Sequence, residues 1–351
     1  RRAIFCRRNR ALDGFDLPLV REMGRYLHRM HIGDDWYVNF ADGAARISPE
    51  SHIIYRYGQR IGDQQMVAQG AASLRASGPA TMRISSIGRI LPALFRCAGI
   101  AAADPAPPLI RDAWLDGIEV LVARERAGTT DGLFLAAKGG HNAESHNHND
   151  IGSFIVALDG RPVVIDAGVG VYTRQTFGPE RYSIWTMQSA YHNLPLIDGH
   201  EQMHGPAFRA RDVRAETSEL AAQLALDIAP AYPAEVGVRS WRRTIRLERG
   251  ARPRIVLRDD YDLAATPGQL ALHLLLDRPV DPGTPGFLRT GGQGRSLAIG
   301  YDPDLFAARV EPIAIADARL LSVWGARGYR VILAARRPAA RGVWTVTFGV
   351  G

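Results

Sequence analysis

Lysine is almost absent: among 43 basic residues, Lys138 is the only one, and the rest are arginines. Positive charge is therefore carried by planar guanidinium forks, which suit carboxylate, sulfate or phosphate groups. A high-GC coding bias would give the same Arg excess with no functional meaning. Cysteine is scarce as well. Cys6 and Cys97 are the only two, which excludes a disulfide-stapled framework and leaves two unpaired thiols as the expectation. No uncharged stretch approaches the roughly 20 apolar residues of a membrane helix, so no membrane span is expected. The start, Arg1-Arg2-Ala3-Ile4, has neither an initiator Met nor the apolar segment of a signal peptide, and reads as a processed end or a truncation. The charge balance is 43 basic against 36 acidic residues, net +7. However, the arginines are scattered and no helix-turn-helix, zinc-finger or RRM pattern accompanies them, so nucleic acid is not an expected partner.

What is present divides in two. Pro18 followed by Leu19, Val20, Met23, Tyr26, Leu27 and Met30 has helical apolar spacing. Ser48-Pro49-Glu50 opens a second helix through Ile61, Asp63 can cap a third through Leu74, and Ile87 to Cys97 reads as a fourth. The Pro- and Ala-rich segment 101–108 breaks this pattern. Beyond it lie more than a dozen strand-like segments, Leu320–Trp324 among them, with turn residues between and no helical pattern intervening. The expected fold class is α+β and multidomain: helices over 1–105, then a large antiparallel β-sandwich over 106–351.

Chemistry is densest in Lys138–Asp150, KGGHNAESHNHND. On an extended strand His146 and His148 would share a face. The segment SFIVALDGRPVVID reads as a hairpin turning at Asp159-Gly160, which returns Asp166 toward the histidines with Ser153 opposite it. A carboxylate ending the apolar run Val163-Val164-Ile165 needs a partner if buried, and a metal would supply one. His192, in SAYHN, adds a third nitrogen ligand, and two imidazoles with one carboxylate suit zinc. Alternatively, His146 and His192 bond backbone groups and Asp166 caps a turn. His200, Glu201 and His204 in DGHEQMHG read as exposed loop residues, not a second metal cluster.

The ordered series SHNHND, VVIDAGVGVY and SAYHNLPLIDG resembles the heparinase II/III-like domain of polysaccharide lyases, from about Trp114 to the C-terminus. The resemblance implies a sandwich preceded by an (α/α) toroid, of which residues 1–105 would be an incomplete C-terminal part. It implies a structural zinc on His148, Asp166 and His192, and a catalytic role for His146. Tyr182, in the loop FGPERYSIW, is the aromatic expected to reach the sugar. Asn142, Arg174 and Arg181 are the candidate substrate contacts. The implied reaction is β-elimination on a uronic-acid-containing anionic polysaccharide such as a glycosaminoglycan, alginate or an exopolysaccharide, in the periplasm or cell envelope. The family's principal tyrosine acid/base lies on the toroid and is expected before Arg1, and whether this chain is active by itself is not legible. Tyr26, Tyr37, Tyr55 and Tyr57 are more simply packing aromatics. The alternatives are a non-catalytic carbohydrate-binding or scaffold fragment that keeps the zinc, and a zinc hydrolase, which lacks a nearby Glu as base. The polysaccharide, endo or exo cleavage, and oligomeric state are not legible.

Overall fold

The computed structural model describes residues 14–78, 87–292 and 294–351. Within these Cys97 is a free thiol, and Cys6 lies outside them. The described residues separate into two compact units, one of residues 14–31, 47–78 and 87–110, the other of residues 32–46, 111–292 and 294–351. Segment 32–46, expected with the helices, thus belongs to the unit that carries the sandwich.

The first unit is helical: α1 (Pro18–Arg29), α2 (Ser51–Ile61), α3 (Gln64–Ser77) and α4 (Ile87–Ala102). Pro18 opens α1, where a missing N–H costs nothing. Asp63 caps α3 by accepting from the Met66 amide at 3.0 Å. Ile54, Ile61 and Met66 form one small core, and Tyr55, Ala71 and Ile100 another. Gly58 permits α2 and α3 to approach, since a Cβ there would come within 2.8 Å of the Met66 Cβ.

The second unit is built on two large antiparallel sheets. One has eight strands in the spatial order Val280–Asp281, Phe287–Thr290, Leu297–Tyr301, Arg341–Val350, Arg254–Leu263, Val238–Glu248, Ala221–Asp227, Arg211–Thr217. The other runs Phe306–Ala314, Arg327–Ala335, Leu270–Leu276, Arg161–Val164, Phe154–Leu158, Leu133–Lys138, Val120–Arg124, Asp112–Leu115, with Pro195–Ile197 also beside Leu270–Leu276. Alternate residues of both sheets, such as Leu133, Leu135, Phe154 and Val156 on one and Trp241, Ile245, Leu257 and Phe348 on the other, meet in a single buried core.

Three local expectations change. Leu320–Trp324 lies in a helix, Ala318–Trp324, because Asp317 accepts from the amides of both Arg319 and Leu320 and so starts a helical turn. The hairpin turns at Asp159 (φ 52°) and Gly160 (φ 78°) as expected. Its ladder, however, shifts register between Val156 and Ala157, so Ser153 does not stand opposite Asp166. Lastly, residues 139–150 are a loop, not a strand, and His146 has φ 62°. His146 and His148 therefore share no strand face.

Candidate functional site

Three segments of the sandwich unit converge at one end of the hairpin. The loop after Leu133–Lys138 brings His146 and His148, the end of Arg161–Val164 brings Asp166, and the short 3₁₀ turn Ser189–Tyr191 delivers His192. A fourth, the strap 32–46, brings Asp42.

His148, Asp166 and His192 are all fully buried, and one ligand atom from each lies within 4.8 Å of the others. Their free polar atoms point to what the cluster suits. Nδ1 of His148, Oδ2 of Asp166 and both ring nitrogens of His192 have no hydrogen-bond partner among the described residues. His192 Nδ1 stands 3.4 Å from Asp166 Oδ2, an ion-pair distance without hydrogen-bond geometry. Each buried orphan costs about 1–3 kcal/mol, and a single cation would satisfy one atom from each of the three residues. The donor chemistry, two imidazoles and a carboxylate, fits such an ion. Burial alone would raise the Asp166 carboxyl, but the neighbouring His192 and the Gly168 amide outweigh it and hold the group below its usual range. Burial alone would likewise lower His192, and the Asp166 charge reverses that and raises it.

His146 sits at the open margin of the same site, with 51% of its side chain exposed. Its ring stacks on Tyr172 at 6.2 Å and meets Phe177 edge-on at 6.4 Å, and both aromatics are exposed. Its positive φ is a strained choice for a residue with a Cβ, of the kind found where function fixes a backbone.

Asp42 was not singled out by the sequence, yet it is the hub. Oδ2 accepts from His146 Nδ1 at 2.8 Å and from the Tyr172 hydroxyl at 3.1 Å. Oδ1 accepts from Arg181 Nη2 at 2.7 Å and from His148 Nε2 at 3.1 Å. Burial alone would raise this carboxyl, but the bonds from His148, Arg181 and His146 hold it well below the usual carboxylate range.

The remaining sequence candidates separate by what they touch. Arg181 is a correction. Its Nε donates to the Asn147 carbonyl, Nη1 to that of Thr176 and Nη2 to Asp42, so the fork is committed inward and not available to a substrate anion. Asn142 is another. It is fully buried and bonds the Met203 carbonyl and Gln202, so it ties loops and cannot meet a polysaccharide. Arg174 is exposed, and among the described residues no hydrogen bond or ion pair engages its guanidinium. The Tyr182 hydroxyl accepts from Asn147 at 3.2 Å, and its ring stacks on His204 at 4.2 Å. His200 is exposed, whereas Glu201 accepts from the Ser189 amide at 2.9 Å, so neither joins a metal cluster.

Further buried groups fix the loops. Asn193 donates to the carbonyls of Phe154 and Ile165 and accepts from Leu275, which locks the backbone next to His192. Lys138 Nζ pairs with Asp150 Oδ1 at 2.6 Å where both side chains are buried, anchoring the start and end of the histidine loop. Gln202 exchanges bonds with the Ile151 amide and carbonyl.

Residues 117–281 match the family model described as Heparinase II/III-like, C-terminal. A comparison with curated proteins finds no match. Among solved structures the fold is similar to that of heparan sulfate lyase HepC from Pedobacter heparinus, at 18% identity and a TM-score of 0.65, covering 94% of this chain and 46% of that one. It is also similar to a structure titled Heparinase III, at 14% identity and a TM-score of 0.66, covering 96% and 49%. A Paenibacillus xanthan lyase is similar at 11% identity and a TM-score of 0.58, covering 95% and 36%. The chain thus spans less than half the length of each of these structures. Among the described residues no helix is long and apolar enough to cross a membrane.

Proposed function

We propose, from the match of residues 117–281 to the Heparinase II/III-like, C-terminal family model, that the chain is the sandwich-bearing part of a polysaccharide lyase acting on a uronic-acid-containing anionic polymer by β-elimination. The observation that carries the reading is the pairing of a half-exposed His146, held from behind, with a buried, partner-poor His148–Asp166–His192 cluster two residues along. The helices of residues 14–78 and 87–102 would then belong to an (α/α) toroid. The solved structures with this fold include enzymes titled as lyases of heparan sulfate and xanthan, both anionic polymers.

In β-elimination a base removes the proton at C5 of the uronate. The electron pair forms the C4=C5 double bond, the C4–O4 bond breaks, and an acid protonates the departing O4. His146, with Nδ1 turned to Asp42 and an exposed ring, can take or hold a proton at Nε2, or stabilise the charge that develops on the carboxylate side. Tyr172 and Phe177 flank it with faces suited to the apolar side of a sugar ring. Arg174, exposed in the same loop, can meet a carboxylate or sulfate. Tyr182, tied to Asn147, orients the backbone between the two histidines. Zinc held by His148, Asp166 and His192 would act as a structural cross-link of the three segments.

The test is incubation of the full encoded polypeptide with heparan sulfate, chondroitin sulfate, alginate and xanthan. The conjugated 4,5-unsaturated uronate is followed by ultraviolet absorbance, and the His146→Ala variant is run alongside. The expected result is chromophore with at least one polymer, abolished in His146→Ala while metal content stays stoichiometric. Saturated ends, or cleavage that survives in His146→Ala, would overturn the reading.

A further inference from the structure

We propose that Asp42 is the positioning residue of this site: one buried carboxylate holds His146 and His148 in opposite tautomers, leaving the lone pair on Nε2 of the first and on Nδ1 of the second. The proposal rests on the reading of His146 as the residue that meets substrate and of the buried cluster as a metal site.

The geometry follows from donor counting. A carboxylate offers about four acceptor positions, and Asp42 has them filled by His146 Nδ1, the Tyr172 hydroxyl, His148 Nε2 and Arg181 Nη2. Arg181 can only donate, so Oδ1 accepts, and the guanidinium at 2.7 Å favours the ionised carboxylate, so Oδ2 accepts as well. Each neutral imidazole must then place its proton on the nitrogen that faces Asp42. For His146 that nitrogen is Nδ1, and Nε2 is left at the exposed edge of the ring, free to accept a proton. For His148 it is Nε2. Its other nitrogen, Nδ1, is buried without a partner, in the cluster with Asp166 and His192. The carboxylate–imidazole–metal arrangement is a general way of fixing a ligand's tautomer and raising its basicity. Here the same carboxylate does so for the neighbouring histidine that faces outward.

The chain holds Asp42 in place at some cost. Ala41, immediately before it, has φ 57°, a left-handed conformation that costs a residue with a Cβ roughly 1–2 kcal/mol. The strap is tied at its base by Asn39, which donates to the Asp166 carbonyl at 3.0 Å. Gly168 lets the strap come close, because a Cβ there would meet the Gly43 carbonyl oxygen at 3.0 Å and Asn39 Nδ2 at 3.1 Å. These contacts fix the carboxylate against the end of the hairpin that carries Asp166.

The experiment is nitrogen NMR of protein labelled with ¹⁵N-histidine, at about pH 8.5, where an ordinary imidazole is neutral. His146→Gln and His148→Gln variants assign the signals. The expected spectrum has His146 protonated on Nδ1 and His148 on Nε2. In Asp42→Asn, whose amide can turn a donor toward one ring, at least one of the two rings changes tautomer. That variant should lose zinc affinity by about 10- to 100-fold. In the lyase assay its kcat should fall by about 10²- to 10⁴-fold, with KM within about threefold, as when an orienting carboxylate is removed behind a catalytic imidazole. The opposite tautomers in the parent protein, which needs no variant to fold, would overturn the proposal, as would an unchanged Asp42→Asn spectrum. The nitrogen spectra and zinc titration read out without turnover, so failure of the lyase reading alone would leave them standing.

Discussion

Arg243 gives the sharpest test of how the sandwich core holds the site. It lies on Val238–Glu248 with no exposed surface. Its Nε and Nη2 bind both oxygens of buried Asp259 at 2.8 and 2.7 Å, while Nη1 reaches the carbonyls of Gly152 at 3.0 Å and Asn193 at 2.7 Å. Those carbonyls belong to the segments that follow the histidine loop and carry His192. Truncation in Arg243→Met strands the Asp259 charge, about 3–5 kcal/mol for a broken buried pair. It also strands two carbonyls, which relaxation satisfies in part. A total loss of about 4–6 kcal/mol is therefore expected, a large share of the 5–15 kcal/mol that keeps a typical domain folded. Removing both charges in Arg243→Met/Asp259→Leu should restore most of that stability, but not the tie to Gly152 and Asn193. Urea unfolding followed by tryptophan fluorescence, with Trp241 buried two residues away, measures the first quantity, and zinc titration of the refolded protein measures the second. A loss under about 1 kcal/mol in the single variant would refute the reasoning. So would parental zinc affinity in the double variant, because the guanidinium would then not be positioning the segments it bonds.

Acid should weaken the fold through His273. Burial lowers its pKa from 6.5 to about 4, while Nδ1 bonds the Ala190 carbonyl at 2.9 Å. The unfolded chain binds the extra proton first. Stability from this group is thus complete above about pH 6.5 and is lost as pH falls toward about 4, a span of roughly 3 kcal/mol. His273→Gln should flatten the slope of unfolding free energy in that window, and an unchanged slope would assign the acid sensitivity elsewhere. In the helical unit, Asp63→Ala removes both the cap of α3 and the partner of Arg25, which bonds Asp63 at 2.7 Å. A loss of about 1–2 kcal/mol is expected, of which Asp63→Ser should recover the capping part; equal losses in the two variants, measured by thermal unfolding, would show that the cap contributes nothing.

The three cluster residues were legible because each ends or sits within a short, chemically dense run: SHNHND, VVID and SAYHN. A histidine or aspartate embedded in apolar text advertises its burial. Asp42 carries no such signal. It lies 104 residues before His146 in the plain text FADG, and its proximity depends on a strap whose path only the fold reveals. Arg243 could have been found. Trp241, Ile245 and Leu247 set a period of two, and Arg243 falls on their face whereas adjacent Arg242 points to solvent. Arg181 and Asn142 turn to loop carbonyls for one physical reason. A loop that lacks ladder bonds must satisfy its backbone some other way, and polar side chains beside a motif are the nearest means of doing so. Leu320–Trp324 is helical and not a strand because a short apolar run suits either, and the decisive group is Asp317 before it.

The same accounting explains why one loop can serve two purposes. Between residues 139 and 150 there is no strand or helix, so its rigidity comes from Lys138–Asp150 beneath it, Asn147 and Asn149 within it, and Asp42 above it. Burial falls along two residues, from a fully enclosed His148 to a half-exposed His146. A metal at the enclosed end would fix the deep ring, and the Asp42 carboxylate transmits that fixation to the outer ring through a second pair of hydrogen bonds. The exposed histidine is thereby held without being covered, as its proposed role at a sugar-binding surface requires. Loss of metal should therefore disorder His146 more than it disorders the core. Chelation should broaden the His146 nitrogen signals while the indole N–H signal of buried Trp241 stays unchanged. Equal changes in both would mean that the metal holds the whole sandwich together and not this loop in particular.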